Sequence, residues 1–155
     1  ETFEIEFKAS FSGKSSTTKL EKKNIRYQIL KEITGFLNTN DGVLLIGVID
    51  QKNRGSDELK VCGIEIEGFV GDEDKYSLKL MNLISDTMGA AAASLINISF
   101  EKYDGKTICR VECQKSSTEV YCKFKEHGEL PFVRYGTVTK SPSHKEWDDW
   151  RKNRF

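Results

Sequence analysis

Three acidic residues and one lysine are the side chains of this sequence best suited to chemistry. Glu6 and Lys8 lie in the opening stretch ETFEIEFK, which starts with Glu1, and Asp50 ends the apolar run VLLIGVID. Carboxylates at close range repel each other unless a divalent cation such as Mg²⁺ or Mn²⁺ neutralises them. A cation held in this way polarises a phosphodiester and activates a water, and a nearby lysine stabilises the developing phosphate charge. These four residues are therefore a candidate hydrolytic site.

The first strand must present Glu6, and its pattern leaves a simpler interpretation open. Phe3, Ile5 and Phe7 alternate with charged residues, so we expect the apolar face in the core and the charged face in solvent. On residue types alone, such a charged face is more often plain surface than a site. Glu1 also lies five positions before Glu6, which points the two to opposite faces of a regular strand. They converge only if Glu1 precedes the strand or a bulge re-aims it.

The third acid ends a strand that we expect at the centre of a sheet. VLLIGVID is a continuous apolar run of strand length, which is typical of a strand covered on both faces. In open sheets, sites collect at the ends of such strands. If the first strand lies beside this one, Glu6 and Asp50 converge.

The remaining pattern predicts an α+β domain with a mixed β-sheet and about three helices. Helices are expected from about Lys19 to Leu37, with Thr18 as its cap, and from about Asp72 to Met88. HKEWDDWRKNRF is expected to form a terminal helix, and GAAAAS either extends the second helix or forms a small-residue linker. Two alternating segments around Asp104-Gly105 predict a hairpin. QKNRGSDE is predicted to be a turn before a strand in LKVCGIEI, and STEVYCKF and LPFVRYG predict two more short strands.

Composition bounds the class of protein. The 155 residues predict one domain, 1–155, and its start directly at a strand suggests excision from a longer protein. We expect no membrane contact, since no apolar run approaches the length of a membrane span. The four cysteines form no C-x-x-C pair, and Cys109 and Cys113 share a strand face, so buried thiols are favoured over a zinc site. An intracellular, cytoplasmic location is therefore expected.

The segments ETFEIEFK, FLNTNDGVLLIGVID and PFVRYGTVTKSPSHKEWDDW resemble the Schlafen AlbA_2 domain family. The family signature is an E-x4-EFK start and a helix running into F-x-N-T-x-x-G-x-L-x-I-G-V-x-D, and the resemblance spans nearly the whole chain. It implies an AlbA_2-like lobe. The three metal-binding acids of the ribonuclease members fall on Glu1, Glu6 and Asp50, and the lysine of EFK falls on Lys8. For Glu1 to join the site, the chain should bend between Glu1 and Phe3.

The resemblance also implies a function, a metal-dependent endoribonuclease lobe that uses Mg²⁺ or Mn²⁺ to cleave structured RNA such as transfer RNA. Vertebrate members pair two such lobes around a basic groove, so this single lobe is expected to form a homodimer or to pair with a second Schlafen-like lobe. Two alternatives stay open: a non-catalytic nucleic-acid-binding or regulatory module, and an assembly lobe that pairs with a catalytic partner. The net charge of zero weakens nucleic-acid binding by the lobe alone. The candidate phosphate contacts are Lys22, Lys23, Arg26, Arg134 and Lys140.

Overall fold

A mixed sheet of four strands organises the fold. The computed structural model describes residues 1–50 and 59–155. The strands are β1 (Ile5–Lys8), β2 (Gly42–Ile46), β5 (Ile96–Tyr103) and β6 (Lys106–Cys113). They lie in the order β1-β2-β6-β5, in which β1 and β2 are parallel and the other neighbours are antiparallel. The sheet is mixed, as predicted, and β1 lies beside β2, as the site requires.

Three two-stranded pairs surround this sheet, and all three are antiparallel. In chain order they are β3 (Val48–Asp50) with β4 (Leu59–Val61), β7 (Cys122–Phe124) with β8 (Gly128–Leu130), and β9 (Val133–Tyr135) with β10 (Val138–Lys140).

The described residues contain four α-helices, α1 (Lys19–Thr39), α2 (Glu73–Met88), α3 (Ala90–Ala93) and α4 (His144–Arg154), and a 3-10 helix at Ile64–Glu67. One more helix is present than predicted because Gly89, at a φ of 90°, ends α2 and starts the short α3. Thr18 caps α1 as predicted, in a reciprocal capping box with Glu21. None of the helices in the described ranges is long and apolar enough to cross a bilayer.

The core lies on one face of the four-stranded sheet, under α1 and α2. Leu44 of β2 and Val111 of β6 are fully buried there against Ile33 of α1 and Leu80 of α2. The predicted hairpin is confirmed: Asp104 and Gly105 join β5 to β6, both at positive φ, as a tight two-residue turn requires.

The cysteines behave as buried hydrophobes. Cys109, Cys113 and Cys122 are buried and Cys62 is partly buried, and all four are free thiols. Burial raises the pKa of the Cys122 thiol to about 11. The expectation that Cys109 and Cys113 are buried thiols is confirmed.

The expected orientation of β1 is wrong. Phe3 and Ile5 are 37% and 36% exposed, whereas the carboxylate residue Glu6 is only 3% exposed. Because β1 is an edge strand, its outward face is not covered by a helix, and ion pairs beneath the strand hold Glu6 inward. Glu6 and the partly buried Lys8, not Phe3 and Ile5, therefore lie toward the interior, while Glu4 is exposed.

The predicted single strand VLLIGVID is also wrong, because Gly47 divides it into β2 and β3. Gly47 has a φ of 99°, and its carbonyl oxygen accepts hydrogen bonds from the N–H groups of Cys62 and Gly63. A Cβ at this position would stand 3.0 Å from the Gly63 Cα. β3 thus leaves the main sheet to pair with β4, carrying Asp50 with it. The predicted turn QKNRGSDE spans 51–58 and lies outside the described residues.

Replacing Gly47 by alanine should destabilise the fold by about 3 kcal/mol, since backbone strain adds to contacts with backbone atoms that cannot move aside. Gly68→Ala is the matched control, because Gly68 also has positive φ, at 91°, but nothing lies within 4 Å of its Cβ position. That control should cost about 1 kcal/mol in urea unfolding. Equal losses in the two variants would contradict the role assigned to the close approach at Gly47.

Candidate active site at the edge of the sheet

The start of the chain folds back so that Glu1 reaches Glu6. The Thr2 N–H donates to the Ile5 carbonyl at 2.9 Å, and the Thr2 hydroxyl oxygen accepts from the N–H groups of Glu4 and Ile5 at 3.3 and 3.1 Å. The expected reversal is therefore present, at residues 3 and 4 rather than between residues 1 and 3. It overcomes the five-residue spacing that separates Glu1 and Glu6 on a regular strand.

Glu6 is a buried carboxylate held between two cations. Its Oε1 accepts from the Lys8 Nζ at 2.6 Å, and its Oε2 accepts from the Arg134 Nη1 at 3.0 Å. Burial by itself would raise the pKa of Glu6, but hydrogen bonds from Lys8, Glu1 and Arg134 outweigh it and hold that pKa below its ordinary value. Glu6 is therefore ionised at neutral pH.

Glu1 is the second acid of this carboxylate pair. Its pKa is raised, first by partial burial, then by its hydrogen bond to Glu6 and by the negative charges of Glu6 and Asp50, which Lys8 partly opposes. The pKa values of these two bonded carboxyls are therefore shifted in opposite directions, upward for Glu1 and downward for Glu6. Two hydrogen-bonded acids need either a proton or a cation between them.

Asp50 lies at the end of β3, next to the end of β1. The Gly47 N–H donates to the Lys8 carbonyl at 2.9 Å, so β3 begins where β1 finishes. The charge of Asp50 reaches Glu1 and contributes to its raised pKa. Glu1 and Glu6 of the opening segment are therefore paired, and Asp50, from a distant part of the chain, is near enough for its charge to act on Glu1.

The donor types suit a divalent cation, but the side chains are not arranged as a formed ion site. Three carboxylates and a lysine have the chemistry that Mg²⁺ and Mn²⁺ sites use. Within residues 1–50 and 59–155, however, no three Asp, Glu, His or Cys side chains are grouped closely enough to hold one ion. The structure shows a carboxylate pair, Glu1 with Glu6, and a third acid nearby.

The prediction that Arg134 contacts phosphate is wrong, because its side chain is 1% exposed. Its guanidinium is the counter-ion of two buried carboxylates, Glu6 and Glu32, each at 3.0 Å from Nη1. It also lies 4.6 Å from the ring centroid of Phe36. Arg134 therefore belongs to the support of the site and not to its surface.

The cations of α1 lie at different positions around that helix. Lys22 is half-buried and Arg26 is exposed, about 15 Å and 9 Å along the axis from Glu32. Lys23 is exposed, forms an ion pair with Glu126, and lies two and a half turns from Glu32, on the opposite side of α1. The structure does not bring Lys23 to the side of the carboxylates.

The remaining predicted phosphate contact, Lys140, is exposed on β10. Its ammonium lies 5.1 Å from the ring centroid of Tyr135, an exposed aromatic residue on the paired strand β9. Lys140 is therefore available to an anion in solution.

Sequence reasoning missed Glu32, which is 4% exposed and buried in α1. A signal was present: Glu32 follows Ile29 by three positions and precedes Phe36 by four, so it lies on the apolar face of the helix. An acid at such a position requires a buried partner. The sequence contains no local sign that the partner is Arg134, 102 residues away.

A cavity of about 520 Å³ lies elsewhere, between the end of α2, the start of α3 and the segment that precedes β7. Its lining is rich in hydroxyl side chains, including Ser85, Ser117 and Thr118. None of the predicted site residues lines it. Its position therefore lends no support to the carboxylate site.

The mixed sheet, with helices packed against it, defines an α+β fold. The Schlafen AlbA_2 family model matches residues 1–143. The chain therefore belongs to the Schlafen AlbA_2 family, which confirms the resemblance seen in the sequence. Membership associates the chain with nucleic acids in general.

Solved structures support the fold. The crystal structure of the DIP2311 protein from Corynebacterium diphtheriae matches with a TM-score of 0.61 and 15% identity over 97% of this chain. The N-terminal domain of a RecG-related protein from Nitrosomonas europaea matches with a TM-score of 0.61 and 20% identity over 93% of this chain and 84% of that domain. This chain spans 24% of the Corynebacterium protein. No curated protein matches it significantly.

Removing the buried cation should strongly destabilise the fold. Arg134→Met leaves Glu6 and Glu32 without it, and we expect a loss of about 3–5 kcal/mol at pH 7 in urea unfolding. Arg110→Met is the control, because Arg110 pairs with Glu112 on the surface, and it should cost about 1 kcal/mol or less.

The ion pair between Glu6 and Arg134 should make the stability of the fold depend on pH. The folded-state pKa of Glu6 is lowered, so its stabilising contribution is present above the ordinary glutamate pKa of 4.5 and is lost as the pH falls through the folded value. The wild-type protein should therefore lose stability on acidification, and the difference in free energy of unfolding between wild type and Arg134→Met should become smaller. A difference that stays constant from pH 7 to pH 4 would contradict this assignment.

Proposed function

We propose that this chain is a metal-dependent endoribonuclease lobe that cleaves structured RNA such as transfer RNA. The observation that carries the proposal is the Glu1–Glu6 carboxylate pair, with Lys8 bonded to Glu6 and the charge of Asp50 acting on Glu1. Acids forced together beside a partly exposed lysine are unusual on a plain protein surface, and they suit phosphodiester hydrolysis. Family membership adds the general association with nucleic acids.

The chain's own residues have distinct roles in this proposal. When bound, Mg²⁺ or Mn²⁺ supplies Lewis-acid polarisation of the phosphate and a water of lowered pKa. Glu1, Glu6 and Asp50 are the residues that would hold the ion, each as an ionised carboxylate. The Lys8 side chain is 24% exposed, so its ammonium can turn toward a phosphate oxygen.

The proposed substrate is bound by cations outside this cluster. Three of the predicted phosphate contacts remain candidates, namely Lys22, Arg26 and Lys140, whose side chains are exposed or half-buried. Lys23 is left out because it pairs with Glu126. The chain carries no net charge, so we propose that a second lobe, in a homodimer or a Schlafen-like partner, completes the RNA-binding surface. Free thiols suit the reducing cytoplasm, where we place this activity.

A non-catalytic nucleic-acid-binding module is the second candidate. Two observations favour it: Lys8 and Arg134 engage both carboxylate oxygens of Glu6, and the described ranges contain no three-ligand metal group. In this alternative the acids serve stability, and binding comes from surface cations alone.

Cleavage of end-labelled transfer RNA and single-stranded DNA, with Mn²⁺, Mg²⁺ or EDTA, separates these candidates. We expect RNA cleavage that EDTA abolishes, and a loss of at least about 100-fold in Glu6→Ala and in Asp50→Ala. Glu4→Ala is the matched control, because Glu4 is an exposed acid of the same segment, and it should cleave like wild type. Folding of each variant is checked by thermal unfolding.

The other outcomes each identify a different function. Undiminished cleavage by both Glu6→Ala and Asp50→Ala would exclude the carboxylate site. Gel shifts without cleavage of either nucleic acid would favour the binding module. Binding or cleavage that begins only when a second protein is added would favour an assembly lobe.

Lys8 should matter for the chemical step more than for binding. We expect Lys8→Ala to lower kcat by about 100-fold with little change in KM, because the ammonium would stabilise charge that develops in the transition state. Lys102→Ala is the control, since Lys102 lies on β5, at the edge of the sheet opposite β1, where its ammonium bonds Thr107. A rise in KM at constant kcat would instead make Lys8 a simple phosphate contact.

A further inference from the structure

The guanidinium of Arg134 contacts the backbone between the two paired acids. Its Nη2 donates to the Thr2 carbonyl at 2.8 Å and its Nε donates to the Phe3 carbonyl at 2.9 Å. The same group donates from Nη1 to Glu6 at 3.0 Å. One side chain therefore holds both the bend that follows Glu1 and the carboxylate that Glu1 must reach.

The opposite side of this guanidinium is anchored in the core. Its Nη1 also donates to Glu32 at 3.0 Å and to the Thr139 hydroxyl at 3.3 Å, and that hydroxyl donates to Glu32 at 2.5 Å. The backbone N–H of Arg134 donates to the Thr39 hydroxyl at 2.9 Å. With β9, β10 and α1 all attached to it, the guanidinium is a fixed reference point.

Besides Arg134, the segment is held by the Val43 N–H, which donates to the Glu4 carbonyl at 2.8 Å, and by the hydrogen bonds between Thr2 and Ile5. The side chains of Thr2, Phe3, Glu4 and Ile5 are all exposed, so burial contributes little to their conformation. The hydrogen bonds between Thr2 and Ile5 are also exposed to water, which weakens them. The contacts from the guanidinium to the Thr2 and Phe3 carbonyls are charge-assisted, and they hold the two residues that precede Glu4.

Charge neutralisation alone does not account for an arginine here. A lysine could face Glu6 and Glu32, but its single ammonium cannot also reach two carbonyl oxygens along fixed, divergent directions. The planar guanidinium can do so, because its three nitrogens all donate, with Nη1 shared among Glu6, Glu32 and Thr139.

We infer that Arg134 is a positioning residue, which places Glu1 beside Glu6 by clamping the Thr2 and Phe3 carbonyls. Its kinetic consequence rests on the proposed nuclease function, whereas the clamp itself is a property of the fold. Loss of the clamp should free the segment before β1 and let Glu1 leave the pair, without removing charge from the interior.

Arg134→Lys tests this inference, since it keeps a cation near Glu6 and Glu32 and loses at least one carbonyl contact. Amide hydrogen exchange should become about tenfold faster or more for residues 2–5, with the β5–β6 hairpin unchanged. Arg110→Lys, which alters a surface arginine on β6, is the control and should change neither region. In RNA cleavage, Arg134→Lys should lower kcat at least about tenfold at constant KM.

Glu32→Gln separates clamping from stability, because it weakens the same network on the side away from the bend. It should lower the unfolding midpoint without faster exchange at residues 2–5. In the wild-type protein, NMR should detect coupling across the hydrogen bond from the Arg134 Nε–H to the Phe3 carbonyl. This measurement does not depend on any variant folding.

Equal acceleration of exchange in the bend and the hairpin of Arg134→Lys would overturn the inference in favour of a purely structural role. Unchanged exchange at residues 2–5, or absent coupling to the Phe3 carbonyl in wild type, would also overturn it. The hydrogen-exchange result shows whether Arg134 holds residues 2–5 in place, whether or not the wild-type protein cleaves RNA. Failure of the proposed nuclease function is therefore a separate result.

Discussion

The rest of this structure depends on one buried guanidinium between two buried carboxylates. Arg134 neutralises Glu6 of β1 and Glu32 of α1, and Lys8 and Lys31 flank them from the partly exposed side. Charges in a low-dielectric interior are tolerated only when each has a partner. Positive and negative side chains alternate in this network of five residues, so each charge has a partner. The network connects β1, α1 and the β9–β10 pair at one point.

This constraint explains why β1 directs Glu6 into the interior and leaves apolar side chains exposed. An edge strand ordinarily buries its apolar side chains, but here the interior position opposite α1 already contains a cation, and a carboxylate is the side chain that fits it. Exposing Phe3 and Ile5 on the open face costs hydrophobic stabilisation. The cost of leaving Arg134 or Glu32 unpaired in the core would be larger. Glu6 of the strand, and with it the carboxylate pair, is consequently directed inward.

Local features could be predicted from the sequence because nearby residues determine them. Thr18 and Glu21 form a capping box, and Asp104 with Gly105 takes the positive φ values of a tight turn, as their residue types require. The division of VLLIGVID at Gly47 could not be predicted in this way. It arises from the close approach of Gly63, sixteen positions later, and an apolar run carries no sign of such a contact.

The sequence by itself determined the family and most helices and strands, since motif spacing and residue type carry that information directly. The choice of Glu1, Glu6 and Asp50 as the candidate acids came from the resemblance to that family. Only the tertiary structure decided which charges are buried. Arginine is most often a surface residue, and nothing near Glu32 in the sequence identifies Arg134 as its buried partner, so their pairing across 102 positions has no local signature. The meeting of Glu1 and Glu6 has the same origin: strand geometry separates them, and a bend bonded to a distant buried arginine brings them together.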